Sequence, residues 1–214
     1  MVPLQDTLLF AGTALVMVLT PGPNMIYLVS RSLCQGRKAG VISLLGVAGG
    51  LLVHMMAASV GLSALFVAIP MAYGSVKLAG AAYLLYLAWQ ALAPGARSPF
   101  EPRALPPDPP HKLVLMGFLT CLLNPKVAVL YLSIFPQFIS PAHGSLLLQG
   151  LQLGTVQILV SMAGNLFVLL SAAHIATHLN AHPRWLSAQR YVMGTVLGAL
   201  ALRLAIEPPR AVRP

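Results

Sequence analysis

The chain has 214 residues, 57% of them hydrophobic and only 8% charged, with a mean hydropathy of +0.81. A soluble domain carries about a quarter charged residues, so this composition describes an all-α integral membrane protein without room for a separate soluble domain. The net charge of +9 would suit nucleic acid in a soluble chain, but here the basic residues sit mostly in short loops, where they set topology, and no nucleic-acid partner follows.

The first expected span runs from Leu4 to Ser30 and is interrupted by Thr20-Pro21-Gly22-Pro23-Asn24. Proline lacks a backbone N–H and clashes with the preceding turn, and glycine loosens the backbone. In lipid, broken backbone is tolerated only where it is buried in protein or lines a polar cavity, so this break reads as a site. No Lys or Arg precedes Arg31, so the basic start of a signal peptide is missing and the span is expected to be retained. A basic loop, Arg31 to Lys38, leads to span two, Ala39 to Leu62. There Gly46, Gly50 and His54 fall at i, i+4 and i+8 on one helix face, a spacing that lets helices approach closely.

Span three, Met71 to Leu92, follows Pro70 and has Lys77 near its start. The Pro-rich stretch Ala93 to His111, with Arg97, Glu101, Arg103 and Asp108, reads as an exposed linker. It joins two three-helix halves, 4–92 and 112–206, of one transporter domain covering 1–214. Span four, Lys112 to Phe138, holds a second break at Leu123-Asn124-Pro125-Lys126. A short loop without Lys or Arg, Ile139 to Ser145, precedes span five, Leu146 to Ala173. A polar stretch from His174 to Gln189 then leads to span six, Arg190 to Ile206.

The two breaks are in register, with Leu19-Thr20 and Asn24 facing Leu119-Thr120 and Asn124 one hundred residues later. Asn124 followed by Pro125 is a helix restart, with Asn as N-cap and Pro at the first helical position. Interrupted spans at matching positions of two halves point to the binding site of a secondary transporter, whereas a single one would read as a plain proline kink. An odd number of spans per half makes the halves insert in opposite senses, as an inverted repeat that permits alternating access. Loops on one side hold Arg31, Arg37, Lys38, Arg97, Arg103, Lys112, Arg184 and Arg190; the other side holds Lys77, Arg203, Arg210 and Arg213. The positive-inside rule then puts both termini outside the cytoplasm.

Lys126 lies midway along span four, where an ammonium costs several kcal/mol unless paired or wetted. It reads as a cation able to hold a carboxylate, against the alternative of snorkelling to the interface. The half-helices beginning near Pro23-Asn24 and at Asn124-Pro125 add positive dipole ends, and carbonyls freed before Pro21 and Pro125 can accept from an ammonium. A zwitterion fits both ends. His54 changes charge near neutral pH and, with Asp6 at the very start of span one as the only carboxylate inside a span, is a candidate for proton coupling, but it fits equally a packing histidine bonded to a carbonyl. Gln157 and Asn165 read as interhelical hydrogen bonds more readily than as cavity-lining amides. His174, His178 and His182, at i, i+4 and i+8, read as a polar interfacial turn rather than a metal site. Cys34 and Cys121 have no ligand spacing, and no disulfide or metal site is read from them.

Together these residues resemble the LysE/RhtB family of bacterial amino-acid exporters. The resemblance rests on Thr20-Pro21-Gly22-Pro23-Asn24, on Gly46-x3-Gly50-x3-His54, on Lys77-Leu-Ala-Gly80-Ala-Ala-Tyr83-Leu-Leu-Tyr86-Leu87, and on Asn124-Pro125-Lys126. It implies six transmembrane helices with the first and fourth interrupted, in the bacterial inner membrane. It also implies amino-acid export driven by an ion gradient, expected to be protons, with Pro21, Gly22, Pro23, Asn24, Asn124, Pro125 and Lys126 at the substrate site. The lack of intramembrane carboxylates argues for neutral amino acids or close derivatives. The implied partners are the amino acid, the coupling ion and membrane lipid, with no cofactor and with self-association left open. A heavy-metal or cation exporter on a related scaffold is the rival reading. A membrane enzyme is not expected, because no Ser/His/Asp or metal-ligand set lies within the spans.

Overall fold

The computed structural model describes residues 1–68, 70–93, 106–181 and 183–206, and every regular element among them is helical. Helix α1 (Leu4–Leu19) and helix α2 (Pro23–Gln35) meet at 55° across the first proline break. Helix α3 (Arg37–Ala68) and helix α4 (Pro70–Leu92) follow. Helix α5 (Pro110–Leu122) is bent by 46° from the segment that opens with the short helix α6 (Pro125–Val129). That segment continues as a π turn, Leu130–Ile134, and a 3-10 turn, Phe135–Phe138. Helix α7 (Leu146–Ala181) and helix α8 (Pro183–Ile206) close the chain. The stretches Arg37–Gly61 and Leu146–His174 are each long and apolar enough to cross a membrane, and each bent pair passes the same test as one broken span.

Three expectations need correction. The basic segment Arg31 to Lys38 is not a loop: α2 runs to Gln35, and only Gly36, at φ +88°, separates it from α3. Arg31 stays helical and buried because Asp108 neutralises it, so its charge need not reach water. The polar stretch from His174 to Gln189 is also mostly helix, with α7 running to Ala181 and α8 starting at Pro183. Polar side chains do not end a helix; a proline does, and it is well placed to begin the next. Span four does not continue as one regular helix after its restart. Pro136 has no N–H for the carbonyl one turn before it, and the helix widens into the π turn just ahead of it. Residues 94–105, with Arg97, Glu101 and Arg103, lie outside the described set, as do His182, Glu207, Arg210, Arg213 and the side chains of Lys77, His178, Arg184 and Arg190.

Small residues bring the helices into contact. A Cβ on Gly46 would lie 2.0 Å from the Val114 carbonyl oxygen, and one on Gly117 would lie 2.2 Å from that of Ser43, so α3 and α5 touch backbone to backbone. Without a hydrophobic drive between helices in lipid, such close approach is the main source of association. Helix α3 also packs on α7, α1 and α2 pack on α7, and α4 packs on α8. Gly80 of α4 faces the π turn, where an added Cβ would lie 2.1 Å from Ser133 Oγ. Phe10 of α1 sits edge-on between Phe135 and Phe138, with ring centroids 5.7 and 5.3 Å away.

Polar clamps fasten the two ends. At one end, the Met1 ammonium donates to the His143 carbonyl at 2.7 Å, and Gln149 binds Ser140 and Gly144 carbonyls at 2.8 and 3.1 Å. At the other, Asp108 accepts from Arg31 of α2, from Lys112 at 2.6 Å and from Gln35 at 3.1 Å. Pro106 and Asp108, just before α5, are therefore pinned to α2. Hydrogen bonds from Lys112 and Gln35, with the Arg31 charge beside them, hold the Asp108 carboxyl below the usual carboxylate range.

Candidate functional site

The site begins with missing donors. In an unbroken helix the Met17 carbonyl would accept from the N–H of residue 21, and proline has none. Helix α1 ends accordingly at Leu19, and its last turn leaves carbonyls that need a partner at membrane depth. Lys126, just after the second break, supplies it. Its ammonium donates to the Met17 carbonyl at 2.9 Å and to the Thr20 carbonyl at 2.6 Å, and the residue is only 7% exposed. The carbonyls freed before Pro21 thus accept from an ammonium, but from one the protein carries itself.

Gly22 makes room for this contact. Its backbone is extended, a conformation open to any residue, but a Cβ there would lie 2.9 Å from Lys126 Nζ and 3.0 Å from Cε. Glycine is present for space, so that the lysine can cross the break.

A second link joins the two breaks. Asn124 caps α6 by accepting from the Lys126 backbone N–H at 3.0 Å, and its amide nitrogen donates to Asn24 Oδ1 at 2.9 Å. The cap and the proline at the first helical position lie where the Asn-Pro spacing places them. Asn24, Asn124 and Lys126 come together as one bonded cluster, with Gly22 packed against the lysine side chain. Pro21 lies in the bend, while Pro23 and Pro125 start the following helices with exposed rings.

A cavity of about 30 Å³ opens beside this cluster, lined by Met17, Asn24, Leu51, Lys126, Gln157 and Asn165 among others. That is room for about two water molecules, so any larger solute can enter only if the walls move apart. Helix α7 contributes Gln157, Ser161 and Asn165 at i, i+4 and i+8, all buried. Ser161 was not singled out from the sequence, though its place between the two amides on one helix face would have flagged it. His54 lies elsewhere. It is half-buried, with Nε2 3.3 Å from the Cys121 carbonyl and its ring stacked on Tyr131 at 5.6 Å, and it is not part of the cavity wall. His174 is exposed on α7, and among the described residues no group of three or more His, Cys, Asp or Glu is placed to hold a metal ion.

Interlocked breaks of this kind, built from Pro-Gly-Pro-Asn and Asn-Pro-Lys, coincide with a family match: the model described as LysE type translocator covers residues 15–208. The chain belongs to this family. Proteins called leucine efflux protein, from Enterobacter sp. (strain 638) and from Salmonella typhimurium, are each 28% identical to it over 192 residues. Those alignments cover 90% of this chain and 91% of each relative. No solved structure matches the chain. Family and apolar helices together make this LysE type translocator a multi-pass membrane protein whose named relatives are efflux proteins rather than enzymes.

Proposed function

We propose that this translocator exports amino acids, neutral ones or close derivatives, from the cytoplasm across the bacterial inner membrane in exchange for protons. The observation that carries the reading is the bond from Lys126 to the carbonyls freed by the opposite break. A buried ammonium held only by neutral carbonyls lacks a counter-charge, and the carboxylate of an amino acid supplies one. The leucine efflux relatives support the same substrate class.

Six spans in two inverted three-helix repeats fit this reading. The bent pairs at 55° and 46° occupy equivalent places, Asn24 bonds Asn124, α3 packs on α5 as α7 packs on α1, and α4 packs on α8. Alternating access would then separate and rejoin the two breaks around Lys126. Arg31, Arg37 and Lys112 gather at the end opposite Met1 and His143, which supports a non-cytoplasmic position for both termini. Proton coupling would fall to Lys126 or His54, since no carboxylate lines the cavity. Among the described residues, nothing favours the rival metal exporter.

The test is efflux of preloaded labelled amino acids from cells expressing the chain, against Lys126→Ala at matched membrane levels, with and without an uncoupler. Faster exit of neutral amino acids that both the substitution and the uncoupler abolish is the expected result. Unchanged efflux of every class would overturn the reading.

A further inference from the structure

Helix α7 carries a row of amides, and they are not alike. Gln149 has both ends of its amide bonded within the loop it clamps, and Gln152 has both bonded around Val2. Gln157, one further turn along, does not. Its Nε2 donates to Ser161 Oγ at 2.9 Å, but its Oε1 is buried and has no hydrogen-bond partner, although the residue is only 3% exposed. An orphaned buried acceptor is costly, and in native proteins such a group calls for an explanation. This one belongs to a residue of the same cavity wall as Lys126.

The acceptors that a substrate ammonium would otherwise use, the Met17 and Thr20 carbonyls, are already taken by Lys126. Building on the export reading, we propose that the Gln157 amide oxygen accepts a hydrogen bond from the α-ammonium group of the transported amino acid. Lys126 faces the carboxylate, and Leu51, Val127 and Leu130 of the same wall receive an aliphatic side chain. Ser161 holds the amide in this orientation by accepting from its nitrogen, and Asn165 braces the same turn by donating to the Ser161 carbonyl at 2.8 Å. A neutral acceptor is suited to transport, because it recognises an ammonium without the tight ion pair that would slow release. It also selects a class. With Lys126 present and no carboxylate in the wall, a second positive charge on the substrate side chain would be unpaired, so zwitterionic aliphatic amino acids are favoured over cationic ones.

The experiment uses the full chain reconstituted in liposomes and measures counterflow of labelled leucine and of its α-hydroxy analogue, which keeps the carboxylate and side chain but lacks the ammonium. The wild-type protein is expected to prefer leucine by about ten- to a hundredfold, the range set by one charge-assisted hydrogen bond. Gln157→Leu should lose most of that preference by slowing leucine while leaving the hydroxy acid within about twofold. Gln157→Glu, which keeps an acceptor, should retain it. Because each variant is scored by its own ratio of the two substrates, differences in yield cancel. If Gln157→Leu slows both substrates equally, Gln157 is a packing residue and the proposal fails while amino-acid transport stands. A wild-type protein that moves neither substrate overturns the export reading, and this proposal with it.

Discussion

Gly22→Ala isolates the contact between the two breaks. Gly22 is extended, so alanine adds no backbone strain there, and the only consequence is the methyl group 2.9 Å from Lys126 Nζ and 3.0 Å from Cε. Ordinary contact needs about 3.5–4 Å, so the ammonium must retreat by roughly 0.6–1 Å. Its bonds to Met17 and Thr20 are 2.9 and 2.6 Å long, and a retreat of that size stretches at least one of them past useful length. The loss of one hydrogen bond to a charged group is about 1.5–3 kcal/mol. Denaturant titration of the purified protein in mixed micelles should therefore show Gly22→Ala destabilised by about that amount. The same substitution made in a Lys126→Ala background has nothing to strike and should cost less than about 0.5 kcal/mol. An equal penalty in both backgrounds would refute the reasoning, because Gly22 would then be needed for something other than room for the lysine.

The other links can be broken one at a time. Asn124→Ala removes both the cap on the Lys126 backbone and the donor to Asn24, and should lower stability by about 2–4 kcal/mol in the same titration. Gly117→Val places atoms within the Ser43 backbone and should separate α3 from α5, read as loss of a monodisperse species after detergent extraction, whereas Gly12→Ala, with open space around it, should be silent. The Asp108 clamp carries a pH signature. Its folded pKa is depressed, so its contribution is complete above the unfolded value of about 3.9 and disappears as pH falls through the lower folded one. Protection of the segment before α5 from proteolysis should hold from neutral pH down to about pH 4 and fail below it, with Asp108→Asn unprotected throughout. Loss of protection already between about pH 6 and 5 would point to a different group.

Much of the backbone was legible in the residues because its causes are local. A proline removes its own N–H wherever it stands, so the breaks at Pro21-Gly22-Pro23 and Asn124-Pro125, and the capped restart at Asn124, follow from neighbours in the chain. Apolar length and the scarcity of charge made the helices and the membrane equally plain. What a buried polar group bonds to is a different kind of fact. The acceptors of Lys126 lie 106 and 109 residues away, and the partner of Asn124 lies 100 away. Arg31 looked like a loop residue because nothing near it in the chain reveals Asp108, which reaches it only when α5 docks on α2 and α3. Gln157 looked like any interhelical amide, and only the packed structure distinguishes an amide with every bond made from one with an acceptor left over. Local chemistry determined where the helices break. Tertiary packing decided which charge meets which carbonyl, because that pairing joins segments the chain itself keeps far apart.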